Sequence, residues 1–177
     1  MRWLFGVLLL LPLVAWRASA QTTITAGGWT GGTQYTQSGK FDYCYISSNV
    51  RNGRSLTFAV SGERMWVLFF GDTRWQLKKD DNFDAILSID DKPLTQGKVL
   101  VVTSDRVGTG LPNETVVFEK LRAGRAITLT VPWGTFKYSL NGSTKALNAV
   151  DACRARNAGA SSAIIPSVAI ASFRRES

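Results

Sequence analysis

Few side chains in this sequence could do chemistry. There are two cysteines, Cys44 and Cys153, 13 carboxylates and no histidine. Without histidine the usual general base near neutral pH is missing, so no Ser-His-Asp or Cys-His arrangement can form. The same absence removes His-ligated zinc and the HExxH helix of metalloproteases. Two cysteines are too few for a four-cysteine zinc or iron–sulfur site. Carboxylates, Lys, Tyr, Ser and Thr remain, but the chain carries no GxSxG, SxxK or GxxxxGK[ST] pattern. The expectation is therefore a chain with no catalytic residue, no cofactor and no metal ligand.

Two acidic clusters test that expectation. Asp80, Asp81, Asn82 and Asp84 hint at calcium, but an EF-hand loop needs D-x-[DN]-x-[DN]-G and a later Glu. This run lacks the glycine and the spacing, so it reads as a solvated turn. Asp90 and Asp91 could join a further carboxylate in glycoside hydrolysis, which needs two carboxyl groups at a set separation across a cleft. The turn Asp90-Asp91-Lys92-Pro93 accounts for them without that geometry. A polysaccharide-acting enzyme using two carboxylates stays open as the alternative function.

The compartment decides how the cysteines are read. Residues 1–20, MRWLFGVLLLLPLVAWRASA, have a basic start at Arg2, an apolar run of 14 residues from Trp3 to Trp16, and the small-x-small site Ala18-Ser19-Ala20. That is a secretory leader, expected to be cleaved after Ala20, and the run is too short for an ordinary membrane span. No later stretch reaches 18 apolar residues, so the processed chain is expected not to span a membrane. In an oxidising periplasmic or extracellular setting, two lone cysteines pair. A Cys44–Cys153 bridge would enclose almost the whole core, and a loop that long stabilises by about 4–5 kcal/mol in the chain-entropy treatment. The competing reading, a reactive thiol, lacks a CxxC motif or a neighbouring histidine to stabilise a thiolate.

Charge and aromatic residues suggest where a partner would dock. Without Arg2 and Arg17, 19 basic and 13 acidic residues leave a net charge of +6. The basic residues are spread along the chain with no basic stripe, so nucleic acid is not the expected partner. A general attraction to anionic envelope surfaces is compatible with this charge, as is simple solubility. Exposed tryptophan can anchor a protein or stack on a sugar. Trp133, between Pro132 and Gly134 at an expected hairpin tip, is the best candidate for exposure, with Trp75 and Arg74 as further candidates; core packing is the competing expectation for the tryptophans. Trp66 falls in a buried-type run. Arg51, Arg54, Arg64 and Arg74 lie near turns, either as a cationic face or as a charged edge that discourages strand-to-strand aggregation.

The elements that must position these residues are mostly strands. Residues 21–40 are rich in Thr, Gly, Gln and Ser and read as an irregular lead-in with one strand near Thr22–Ala26. From Phe41, alternation gives a strand. The hairpin dipeptide Asn52-Gly53 then precedes Leu56, Phe58 and Val60 at period two. Met65–Phe70 is a continuous apolar run suited to a strand buried on both faces. Trp75 and Leu77, Ala85–Ile89, Lys98–Thr103, Ala126–Val131 and Thr135–Leu140 complete the set. Asn113 is placed to cap a helix over Glu114–Ala123, and Gly124 to stop it. Ser143 is placed to cap a second helix, whose stripe of Ala146, Leu147, Val150 and Cys153 faces the core. The fold class expected is mainly β, an antiparallel β-sandwich or barrel with a short helix and a C-terminal helix. The domain plan is a leader at 1–20, a lead-in at 21–40, a β domain at 41–156 and a flexible tail at 157–177, for which an added edge strand is the competing reading.

Four segments carry a resemblance: Trp75-Gln-Leu-Lys-Lys-Asp80, Ala85–Leu94, Phe118–Gly124 and Phe136–Leu147. Their strand, turn and helix punctuation resembles the invasion-associated locus B family of exported alphaproteobacterial proteins. The ending Phe-x-x-x-Leu-x-Gly-Ser-x-x-Ala-Leu followed by Cys153 is also similar to exported accessory proteins of type VI secretion. The resemblance implies a mainly β envelope or surface protein linked to host interaction, with no catalytic residues to carry over. The leading expectation is a non-catalytic exported β domain that binds an envelope component or protein partner. A structural, chaperone-like periplasmic factor is a further alternative.

Overall fold

The computed structural model describes residues 22–48 and 52–158. The leader at 1–20, Arg51 and the tail from 159 onward lie outside the described residues. Ten strands form one antiparallel sheet: β1 (Thr23–Ala26), β2 (Trp29–Tyr35), β3 (Phe41–Ser48), β4 (Arg54–Ser61), β5 (Trp66–Asp72), β6 (Asn82–Ile89), β7 (Lys92–Thr103), β8 (Arg106–Leu111), β9 (Ala126–Val131) and β10 (Gly134–Ser139). Helix α1 (Thr115–Ala123) separates β8 from β9, and α2 (Ser143–Asn157) follows β10. The spatial order is β1-β2-β3-β4-β5-β8-β7-β6-β9-β10, so β1 and β10 are the two edges.

The sheet folds over on itself. The Phe70 and Tyr138 rings meet with centroids 5.1 Å apart, which lays β10 against the β4–β5 layer. Helix α2 packs on β1 to β4 and touches α1. Leu56, Phe58, Leu68, Phe70, Leu87, Ile127, Leu129, Leu147 and Val150 are buried in the resulting core. The sheet stays open, with no pairing between β1 and β10, so of the two architectures expected it is not a closed barrel.

The expected disulfide is present. Cys44 on β3 and Cys153 on α2 are bonded, both fully buried, across a sequence separation of 109. The stripe Ala146, Leu147, Val150 and Cys153 faces inward as its spacing predicts. Among the described residues no helix is long and apolar enough to cross a membrane.

Four expectations need correction. The strand expected near Thr22–Ala26 is β1, but the rest of the Gly-rich lead-in is not irregular: Trp29–Tyr35 forms β2, paired in register with β1 and β3. Its glycines permit close approach, since a side chain at Gly31 would overlap the Tyr45 carbonyl. Trp29 supplies burial there, stacked on Phe58 at 5.1 Å with its Nε1–H donating to Asn141 O at 2.8 Å. Strand β8, Arg-Val-Gly-Thr-Gly-Leu, gives little apolar signal because the Phe69 ring lies where a side chain at Gly108 would sit. Trp75 and Leu77 lie in the connection after β5, with the Trp75 N–H turned back onto Asp72 O. Neither expected helix cap holds: Glu114 rather than Asn113 precedes α1, and Ser143 is the first residue of α2. The Ser143 hydroxyl instead donates to Leu121 O at 2.8 Å, tying α2 to α1, while Gly142 takes the left-handed entry at φ 80°.

Candidate functional site

Pairing of β4 with β5 sets Arg54 directly opposite Asp72. Asp72 ends a run that is buried on both faces, and its side chain is inaccessible to solvent. A buried carboxylate must be paired to stay charged. Arg54 Nε donates to Oδ2 at 3.0 Å. Arg74, two residues on, donates from its backbone N–H at 3.1 Å, from Nε to Oδ1 at 2.8 Å and from Nη2 to Oδ2 at 2.6 Å. The Arg74 guanidinium, more than any other group, holds the Asp72 carboxyl far below the usual carboxylate range; burial opposes it, and the Arg74 N–H and Arg54 add to it. Two guanidinium groups against one carboxylate leave this end of the molecule cationic.

Aromatic rings continue from the ion pairs. The Arg54 guanidinium lies 5.4 Å from the centroid of the Phe136 ring, within cation–π range. Phe136 meets Trp75 edge-on at 4.9 Å, Trp75 meets Trp133 at 6.0 Å, and Trp133 meets Phe83 at 4.7 Å. The three candidates from sequence, Trp75, Trp133 and Arg74, thus lie in one neighbourhood. Arg74 is presented to solvent, its side chain 65% exposed. Trp75 is buried, and Trp133 is half-buried rather than projecting from its hairpin, because the Phe83 and Trp75 rings enclose it. The indole N–H groups of both have no hydrogen-bond partner among the described residues.

Beside this cluster a cleft of about 380 Å³ opens between the β1–β2 turn, Ser48 at the end of β3, Asn52 before β4, and the end of β10. Gly28, Ser48, Asn52, Arg54, Lys137 and Asn141 are among the residues that line it, and no carboxylate is among them. Tyr138 also borders the cleft; its hydroxyl is buried without a partner among the described residues. Burial, reinforced by the charge on Asp72, pushes that phenol well above its ordinary range.

The two acidic clusters noted in the sequence lie in turns and on the surface. Asp90 accepts from the Arg125 and Ala126 backbone N–H groups at 3.0–3.1 Å, and the first of these contacts does most to lower its pKa. Asp90 and Asp91 form the tight turn expected of them, both at positive φ. Asp84 pairs with Lys98 at 2.9 Å on the surface, while Asp80 and Asp81 sit in the turn before β6. Among the described residues no group of His, Cys, Asp or Glu is arranged to hold a metal ion. Arg64 lies 3.7 Å from Asp151, away from the Asp72 cluster.

Sequence reasoning singled out neither Asp72 nor Phe136 nor the cleft. A usable signal was Asp72 itself, a charged residue closing an apolar run and followed two residues later by arginine. The cleft left no such trace, because it is built from three turns distant in sequence.

No family model matches the chain, and no curated protein matches it in sequence. Among solved structures the chain is similar to the crystal structure of invasion associated protein B from Bartonella henselae, with a TM-score of 0.56 over 76% of this chain and 98% of that one, at 17% sequence identity. That likeness is one of fold, and at that level it agrees with the resemblance read from residues 75–147.

Proposed function

We propose that the chain is an exported, non-catalytic domain that binds an envelope component or a protein partner through its arginine–aromatic end. One observation carries this reading: the buried carboxylate beside the cleft is fully engaged by two arginines. A general acid or base works best with a pKa near the operating pH. Asp72 is driven far from that range, and Asp90 is tied to backbone N–H groups. Arg74, Arg54 and the edge of Trp133 are left as contact groups; arginine and tryptophan are the residue types enriched where binding energy concentrates. Export is supported by the leader pattern of residues 1–20, by the buried disulfide and by the likeness of fold to invasion associated protein B. A role in host interaction extends that likeness.

The test immobilises the processed full-length chain and passes an envelope extract over it. A component retained by wild type and lost in both Arg74→Glu and Trp133→Ala supports the reading. Turnover of peptidoglycan or other glycans, abolished by a single Asp→Asn change, would instead establish the two-carboxylate enzyme.

A further inference from the structure

We propose that the free edge of β10 is a docking site for an extended, acidic peptide segment, which adds as a further strand along the cleft. This rests on the partner-binding reading and names the kind of partner. Register pairs Gly134 with Val131 and Tyr138 with Ile127, and the Leu140 N–H donates to Arg125 O at 2.9 Å. In an antiparallel pair, hydrogen-bonded and non-hydrogen-bonded positions alternate. The even-numbered residues of β10 therefore turn their main chain toward β9. Thr135, Lys137 and Ser139 turn theirs away, toward the edge that no strand covers among the described residues. Lys137 and Ser139 border the cleft, whereas the other sheet edge, β1, lies against α2. Unpaired main-chain groups beside an open cleft are the requirement for recognition by strand addition.

Charge selects the occupant. Arg54 is oriented by its Nε bond to Asp72 and by the Phe136 ring, its side chain is 31% exposed, and among the described residues no hydrogen bond or ion pair engages its terminal nitrogens. Lys137 also borders the cleft; its Nζ lies 3.8 Å from Asp91 Oδ1, but both side chains are largely exposed and such a surface pair is weak. With no carboxylate among the described lining residues, an acidic side chain on the incoming strand is favoured. A second copy of the chain is disfavoured, because two-fold pairing of β10 with itself about Lys137 sets like charges opposite each other. The exposed stretch, Thr135–Ser139, extends about 16 Å at roughly 3.3 Å per residue, so a short segment fills it.

The probe is a set of acetylated peptides alternating Thr or Val with Asp, beside matched sets carrying Lys, assayed on the full-length processed chain by calorimetry and amide hydrogen exchange. The Asp peptides are expected to bind and to slow exchange at the Lys137 and Ser139 N–H groups. N-methylation of alternate residues along the edge-facing side of the peptide is expected to weaken binding about tenfold or more, through the lost main-chain bonds. Lys137→Pro removes an outward N–H without removing a bond to β9, and is expected to do the same. The N-methylated peptides test the ladder on the unaltered protein, so the result does not depend on that variant folding. Equal binding of N-methylated and parent peptides, equal binding of Lys and Asp peptides, protection at β1 instead of β10, no peptide binding, or a dimer formed through β10 would each overturn the proposal. If the peptides fail while the envelope component is still retained and still lost in Arg74→Glu, strand addition is wrong and the binding reading stands.

Discussion

At the scale of single residues, two buried carboxylates act in opposite directions on stability. Asp72 is stabilised as an anion. Its depressed folded-state pKa means that its contribution is fully present above the unfolded value of about 4 and is lost as pH falls toward the folded value. Asp72→Asn is expected to cost about 1.5–3 kcal/mol in a urea titration at pH 7, the range for hydrogen bonds to charged groups. That difference from wild type should narrow as the titration is repeated from pH 4 downward. A pH-independent difference would show that the ion pairs are not its source. Asp42 is the reverse case: it is buried, its Oδ1 lacks a partner, and burial pushes its pKa up. Its charge weighs against the fold above its raised pKa and is relieved as pH falls. Asp42→Asn is therefore expected to raise the thermal midpoint at pH 7, with the gain vanishing toward pH 4; a lower midpoint at pH 7 would contradict it. The sequence made Arg54 and Arg74 visible as basic residues near turns, but not as partners of one acid. Arg54's part in that pairing depends on the β4–β5 register, which residue spacing does not fix.

At the scale of elements, legibility followed side-chain content. Strands β4, β5, β6 and β9 announce themselves through alternating or continuous apolar residues, and α2 through its inward stripe. Strands β2 and β8 were hidden or blurred because glycine does there what apolar side chains do elsewhere, letting another backbone or ring come close. One such contact is testable. Gly27 and Gly142, both at positive φ, press backbone against backbone where the β1–β2 turn meets the start of α2, and a side chain at Gly27 would come within 2.5 Å of Gly142 O. The left-handed conformation alone costs a residue with a Cβ about 1–2 kcal/mol. Gly27→Ala should lose at least that by chemical denaturation, whereas Gly39→Ala, at a similar φ in open space, should lose only the conformational part. Equal losses would mean that the contact carries no load.

At the scale of the whole molecule, the disulfide and the open sheet serve different ends. The bridge joins β3 to α2 and closes most of the folded chain into one loop. Cys153→Ser is expected to lower stability by about 4–5 kcal/mol, read as the difference in unfolding free energy between oxidised wild type and the variant. A loss under about 1 kcal/mol would show that packing of α2 holds without it. Among the described residues the unclosed sheet leaves β10 free beside the cationic cleft and the aromatic cluster, so the contact groups gather at one end. That arrangement is the central claim, and site-directed photo-crosslinking in envelope preparations tests it most directly. A photoreactive residue at Asn141, on the cleft, is expected to give one discrete adduct that disappears with Arg74→Glu. The same group at Glu119, exposed on α1, is expected to give none. Adducts of equal yield at both positions, or none at Asn141, would contradict the account.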